Sequence, residues 1–411
     1  MIAVIADDVT GGTDAASACR GAGLRTLLSF GIPLSPADEV VNVHVVALKT
    51  RSIPAQDAVR QTLDAARVLL EAGADSFYFK YCSTFDSTAD GNIGPVLDAL
   101  SDLLNVGSVV TTPAAPSHGR TVYRGYLFVG DKLLAESHMR NHPLTPMRDS
   151  SVLRLLGAQT ARRITMLDLP VVRDDSDLLQ QKITDGSTCP RYLVADAICD
   201  DDLRRLAHAI RNERFAAGSA GLISAIARER ARSEAAPPAL PLPTRSAVVA
   251  GSCSEATLGQ IAAFKQAGFP WYELDVLATP NPEALEADAL AWFDRTPTDQ
   301  PALIYSSRSP EELAKIQAVL GVERSAQIIE HATAEIAAAL VRRGVGRIVA
   351  AGGETSGAVV KGLKLRTGLV GREAALGVPW IHFGDAFAIL LKSGNFGDRD
   401  LLVRAATQTT T

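Results

Sequence analysis

The sequence predicts an α/β fold of two domains built on mainly parallel sheets. Three observations carry that expectation. Short runs of β-branched and aliphatic residues alternate with helical stretches along both halves of the chain, the pattern of buried parallel strands joined by crossover helices. The chain has 411 residues, more than one ordinary core holds. Between Ser233 and Arg245 lie Pro237, Pro238, Pro241 and Pro243, which fix φ and remove backbone donors, so neither helix nor sheet runs through. The division expected is therefore a larger N-terminal domain over residues 1–232, a semi-rigid linker over 233–245 and a smaller C-terminal domain over 246–411.

In the first half, Ile2–Ala6, Val43–Ala47, Ser76–Lys80, Ser108–Thr112, Thr165–Leu169 and Arg191–Ala195 read as strands, with helices such as Ala55–Leu70 and Asp200–Arg211 between them. In the second half, Ala247–Ala250, Trp271–Leu274, Ala302–Tyr305 and Arg347–Ala350 read as strands, separated by helices Glu255–Ala267, Pro282–Phe293 and Thr333–Arg342. Ligands of such sheets sit at the C-terminal strand ends, in the loops that lead into helices.

Composition narrows the function. Hydrophobic residues make up 47% and charged residues 21%, the balance of a soluble globular protein. The net charge of −5 lacks the basic excess that a nucleic-acid or anionic-membrane surface normally shows. Cys19, Cys82, Cys189, Cys199 and Cys253 have no CxxC spacing and read as reduced thiols. The N-terminus meets Asp7 and Asp8 almost at once and has no basic region, unlike a signal peptide, and no apolar run has the length of a membrane span. A cytoplasmic protein is expected.

Five strand-end segments carry candidate chemistry. In IADDVTGGTDAA, Asp7 and Asp8 end a strand before Thr10, Gly11 and Gly12. Adjacent carboxylates repel, and a cation, a proton or a polyhydroxy ligand relieves the repulsion. A plain N-cap and turn is the bland alternative. In KYCSTFDSTADGNIG, Lys80 offers a cation, Asp86 a carboxylate, and Ser83, Thr84, Ser87 and Thr88 offer hydroxyls, the mixture a hydroxy acid needs. Arg51, after another strand, suits a bidentate carboxylate clamp or is a surface arginine. His118, His138 and His142 match no metal-ligand spacing; contacts to phosphate or substrate, or between subunits, are expected instead. GSCSEATLGQ places Ser252 and Ser254 at a helix start, and RIVAAGGETSGAVV places Gly352, Gly353, Glu354, Thr355 and Ser356 there, both suited to a phosphate. Neither is a Walker A nor a GxGxxG fingerprint. Gly394 and Gly397 mark a further glycine-rich loop that would close over a nucleotide.

Taken in order, IADDVTG, KYCSTFDST…GNIGP, GRTVYRGYLFV with ESHMRNHPLTPM, GSCS and GGETSG resemble the four-carbon acid sugar kinases from Ile5 to Asp398. Gly12 and Thr13 stand where that family often has Ala or Ser. The resemblance implies a sugar-acid domain, a nucleotide domain and an active site in the cleft between them. The implied reaction passes a phosphoryl group from ATP, with Mg²⁺ carried by the nucleotide and not fixed on the protein, to a 3-oxo-tetronate. Kinases of D-threonate or D-erythronate are the nearest alternative. Ser252, Ser254, Gly352 to Ser356, Gly394 and Gly397 are implied at ATP. Asp7, Asp8, Arg51, Lys80, Ser83, Thr84 and Asp86 are implied at the substrate. The resemblance does not carry over a catalytic base; the needs of phosphoryl transfer make Asp8 and Lys80 the expected catalytic residues. The implied partners are small molecules, not nucleic acid or membrane, and a homo-oligomer is left open. A metal-dependent sugar-acid dehydratase or aldolase would leave the second-half glycine loops idle. A non-catalytic sensor would bind both ligands without releasing ADP.

Overall fold

The computed structural model describes residues 1–35, 40–142, 144–184, 190–231 and 240–408. The chain divides into two compact units, Met1–Pro237 and Pro238–Thr411, whose boundary lies in residues 232–239, outside those described. Cys189 lies outside them as well.

The first unit carries strands β1 (Ile2–Ala6), β2 (Thr26–Phe30), β3 (Val43–Ala47), β4 (Ser76–Lys80), β5 (Ser108–Thr112), β6 (Arg120–Tyr123), β7 (Tyr126–Val129), β8 (Lys132–Leu133), β9 (Arg163–Leu167), β10 (Arg191–Ala195) and β11 (Phe215–Gly218). Its helices are α1 (Val9–Gly21), α2 (Ala55–Glu71), α3 (Ile93–Leu104), α4 (Val152–Gly157), α5 (Leu169–Val172), α6 (Ser176–Thr184), α7 (Asp200–Ala209) and α8 (Ala220–Arg230). The main sheet runs β2-β3-β1-β4-β11-β5-β10-β9, every neighbouring pair parallel, while β6, β7 and β8 form a small antiparallel ribbon. β1 is buried at all five positions, because helices cover both faces of a parallel sheet. The helices obey the complementary rule: α2 buries Ala58, Thr62, Ala65, Ala66 and Leu69, a stripe at helical spacing.

The second unit carries β12 (Ser246–Ala250), β13 (Trp271–Glu273), β14 (Ala302–Tyr305), β15 (Arg347–Ala351), β16 (Thr367–Ala375), β17 (Val378–Phe383) and β18 (Phe387–Lys392), with helices α9 (Glu255–Gln266), α10 (Pro282–Phe293), α11 (Pro310–Leu320), α12 (Val322–Arg342), α13 (Gly353–Gly362) and α14 (Leu401–Thr407). Its order is β13-β14-β12-β15-β18-β17-β16, parallel from β13 to β18 and antiparallel through β17 and β16. Trp380, Phe264, Val248, Val349 and Leu390 pack at its centre. Leu242 joins that core and the Thr244 carbonyl accepts from Arg347 Nη2 at 3.2 Å. Residues 240–245 of the proline-rich stretch are thus packed on the second unit, while 233–239 lie outside the described residues.

Several elements differ from the sequence expectation. β9 lies two residues earlier than Thr165–Leu169, because Asp168 caps α5, its side chain accepting from Val171 N. α12 begins at Val322 and not Thr333, directly after Gly321 at φ 82°. β2, β11 and the β16–β18 meander were not expected. β11 is FAAG, with no β-branched residue, and becomes a strand through burial between β4 and β5.

Candidate functional site

In the first unit the loops after β1, β3 and β4 bring Asp7, Asp8, Arg51, Lys80 and Asp86 together. The loop after β3 is pinned to the β1 end, because Thr50 N and Arg51 N both donate to Asp7 O. Asn92, at the start of α3, donates from Nδ2 to Thr50 O at 2.6 Å and so holds the same loop from the other side. Arg51 then places a fork on Asp7, with Nε to Oδ2 at 2.9 Å and Nη2 to Oδ1 at 2.8 Å, and Nη2 also reaches Asp8 Oδ1 at 2.5 Å. Its Nη1 lies 3.6 Å from Asp86 Oδ2. The bidentate clamp expected of Arg51 is therefore closed by the protein's own Asp7. Burial is the main influence on Asp7 and raises its pKa against the pull of Arg51. Burial opposes the charge of Arg51, but Asp7, Cys82 and Asp8 outweigh it and hold the guanidinium protonated.

Asp8 is the more accessible carboxylate, 26% exposed against 2% for Asp7, so it is the one a ligand can touch. It caps α1 by accepting from Gly11 N at 3.0 Å. A Cβ on Gly11 would lie 2.3 Å from Asp8 Oδ1 and 2.6 Å from Lys80 Nζ, so only glycine lets both groups crowd this helix start. Lys80 is buried at the end of β4 and donates one ammonium proton to Tyr81 O at 3.0 Å.

The loop after β4 is strained. Phe85 and Asp86 sit at φ 62° and 51°, a left-handed pair that costs roughly 1–3 kcal/mol per residue and recurs at ligand sites. The pair is held by Phe85 N donating to Cys82 O and by the Phe85 ring against Tyr81 at 5.7 Å, edge to face. Thr84 Oγ1 lies 3.1 Å from Cys82 Sγ, with Ser83 half-buried in the same turn. Asp86 Oδ1 accepts from Thr145 Oγ1, and His142 Nδ1 lies 3.7 Å away. Ser87 and Thr88 turn away to Gln159, which donates to Ser87 Oγ at 3.0 Å and to Thr88 O at 2.6 Å. Sequence reading missed Thr145, Gln159 and Asn92 as organisers of the site, because their partners are 59, 72 and 42 residues away.

In the second unit, the ends of β12, β14 and β15 surround a cavity of about 420 Å³. Its polar end is Gly251 to Cys253, Ser306 and Gly352 to Thr355. Its apolar end includes Leu274, Val276, Leu313, Ile316 and Ile329. Gly352 is the N-cap of α13 and offers no side-chain cap, so the first-turn N–H groups of this cavity-lining turn lack a side-chain acceptor, an arrangement suited to phosphate. Its φ of 129° and the approach of Ser252 N, 3.0 Å from where a Cβ would stand, demand glycine.

Ser252, Gly352, Gly353, Glu354 and Thr355 line this cavity. Ser254, Ser356, Gly394 and Gly397 do not. Ser254 caps α9 and donates to Gly394 O at 2.7 Å, and Ser356 is buried within α13. The Gly394–Gly397 loop is hydrogen-bonded to α9 and to Lys392. Lys392 Nζ donates to Thr257 Oγ1 at 2.9 Å, Gln260 Oε1 at 2.6 Å and Gly394 O at 3.1 Å, and Gln260 Nε2 donates to the carbonyls of Phe396, Gly397 and Asp398. Burial lowers the Lys392 pKa to about 8. Arg308 was also missed. It lines the cavity, with Nη1 on Glu273 Oε1 at 2.9 Å and Nη2 on Leu274 O at 2.9 Å. Among the described residues no group of three or more His, Cys, Asp and Glu is placed to hold a metal, and no helix is long and apolar enough to cross a membrane. Cys19, Cys82, Cys199 and Cys253 form no disulfide.

The comparisons with known proteins agree with both units. A sugar-binding N-terminal domain matches residues 2–226 and a nucleotide-binding C-terminal domain matches 247–402. A 3-oxo-tetronate kinase of Cupriavidus necator is 41% identical over 99% of this chain and 97% of its own, and one of Methylobacterium radiotolerans is 42% identical over 98% and 97%. A solved structure from Salmonella typhimurium, provisionally described as a tRNA synthase, is 38% identical with a TM-score of 0.93 and covers 100% of this chain and 99% of its own. One from Haemophilus influenzae is 38% identical with a TM-score of 0.86, covering 99% of each chain. Fold, sites and relatives together define an ATP-dependent phosphotransferase with an alcohol acceptor and a small-molecule substrate. The chain belongs to the four-carbon acid sugar kinase family.

Proposed function

We propose that the chain transfers the γ-phosphoryl group of ATP to the 4-hydroxyl of a 3-oxo-tetronate, with the acid held in the first unit and the nucleotide in the second. The observation that supports this most is the cluster of Asp7, Asp8, Asp86, Arg51 and Lys80 at the strand ends of a chain about 40% identical, end to end, to relatives named 3-oxo-tetronate kinase. In the transfer the 4-hydroxyl oxygen bonds to the γ-phosphorus, the bond from that phosphorus to the β,γ-bridging oxygen breaks, and the hydroxyl proton passes to Asp8. A carboxylate is basic enough for this in a loose transition state, where the proton leaves late. Arg51 holds Asp7 and Asp8 in place, and Lys80, with protons still to donate, meets the substrate carboxylate or the moving phosphoryl group. Glu354 is the acid among the cavity-lining residues and fits beside a Mg²⁺ that arrives on the nucleotide. Bound there, Mg²⁺ would neutralise charge on the phosphate oxygens.

A coupled ADP-release screen over four-carbon acids and their 3-oxo forms tests the reading. Turnover is expected with a 3-oxo-tetronate. A clear preference for D-threonate or D-erythronate would move the substrate within the family. Ligand-dependent stabilisation with no ADP from any acid would make the chain a sensor and overturn the proposal.

A further inference from the structure

Thr145, which follows the small ribbon, has no part in the phosphoryl transfer described above, yet it delivers a hydroxyl onto Asp86. Thr145 N lies 3.2 Å from His142 Nδ1, which ties the turn together. Thr145 Oγ1 also lies 2.8 Å from Nδ1, and its hydroxyl donates to Asp86 Oδ1. One carboxylate oxygen of Asp86 is thereby engaged. The other, Oδ2, faces Arg51 Nη1 only at 3.6 Å, beyond a full hydrogen bond. Asp86 also sits on strained left-handed backbone, so a side-chain anchor is what selects its direction.

We propose that Thr145 is a positioning residue for acceptor binding: it locks Asp86 so that Oδ2 accepts from a hydroxyl of the sugar acid. This deepens the reading of the first unit as the acid site and rests on it. A carboxylate can accept from a hydroxyl and not from a keto oxygen, so Asp86 reads a hydroxyl position of the acceptor. The anchor works at a distance from the reacting atoms, and its loss shows as weaker acceptor binding.

The full chain with Thr145→Val, which keeps the branched shape without the hydroxyl, is compared with Thr145→Ser, which keeps the hydroxyl. Thr145→Val should raise KM for the 3-oxo-tetronate about tenfold or more, with KM for ATP within about twofold of the parent. Thr145→Ser should restore the acceptor KM, an outcome that a purely structural role would not split by substrate. An unchanged acceptor KM in Thr145→Val, or an equal rise in both KM values, overturns the proposal. Should Thr145→Val fail to fold, Thr145→Ala is read by the same ratio. Calorimetry of the 3-oxo-tetronate without ATP separates the two levels of inference. Thr145-dependent acid binding in a chain with no turnover would sink the kinase reading and keep the positioning role. Full turnover with acid binding indifferent to Thr145 would do the reverse.

Discussion

Replacing Arg51 by methionine isolates the electrostatics that hold the acidic site. The guanidinium makes two fork bonds to Asp7, a carboxylate only 2% exposed, and a third to Asp8. Removing one member of a buried pair leaves the other charge uncompensated, which costs about 3–5 kcal/mol. Lys80 still places a positive field on Asp7, so the low end, about 3 kcal/mol, is expected at neutral pH. Burial already raises the Asp7 pKa, and loss of Arg51 raises it further. A carboxylate with a folded-state pKa above its unfolded value binds more protons when folded, so stability is recovered as pH falls through the folded pKa. The deficit of Arg51→Met against the parent should therefore shrink as pH falls from neutral toward the unfolded carboxylate range, and Arg51→Met with Asp7→Asn should lose most of it. Urea unfolding followed by circular dichroism measures this. Tryptophan fluorescence alone would not suffice, because Trp271, Trp292 and Trp380 all lie in the second unit. A neutral-pH deficit below about 1 kcal/mol, or one that grows as pH falls, refutes the reasoning.

Asp8→Asn should lower turnover by roughly a hundredfold or more with an unchanged circular-dichroism spectrum; near-parental turnover would remove Asp8 as the base. Gly353 lines the cavity and a Cβ there meets nothing within 4 Å, so Gly353→Ala should fold normally yet raise KM for ATP about tenfold by intruding on the phosphate space. Gly352→Ala, at φ 129° and against Ser252 N, should lower the melting temperature as well, and equal melting temperatures for the two variants would count against that distinction. Lys392 has a folded-state pKa lowered by burial from 10.5 to about 8, so between those values the unfolded chain binds more protons and stability rises with pH. The parent should gain on Lys392→Met across that window in urea unfolding; a parallel pH dependence for both would show that the ammonium is not desolvated.

Much of the framework was legible because parallel strands announce themselves. Ile2–Ala6, Val43–Ala47, Ser76–Lys80, Ser108–Thr112 and Arg191–Ala195 stand where the β-branched runs put them, since strands buried on both faces need nearly continuous apolar side chains. The strand ends then located Asp7, Arg51, Lys80 and Gly352. What the runs could not show was structure fixed by non-local contacts. β11 owes its extended backbone to its neighbours on both sides, and the β16–β18 meander departs from strand–helix alternation. The partner of Arg51 was equally hidden. Spacing places an arginine at a strand end, but whether its fork meets a substrate or Asp7 depends on a loop pinned by Asn92 from 42 residues away.

That loop changes how the charge in the first unit should be understood. Arg51 and Lys80 face Asp7, Asp8 and Asp86, so the cluster is acidic by one charge when all five are ionised. An acidic site is a poor trap for an anion and a good one for hydroxyl groups, because carboxylates accept and cannot donate. On the proposed reading a 3-oxo-tetronate presents two hydroxyls, at C2 and C4, and one carboxylate, and a site of this composition would orient it by the hydroxyls while Lys80 met the single anionic end. The second unit inverts the arrangement: its cavity is lined by an uncapped helix start and hydroxyls, groups that can donate to phosphate oxygens. Burying Arg51 against Asp7 is costly in isolation, but its guanidinium offsets part of the repulsion among three carboxylates that stand close together.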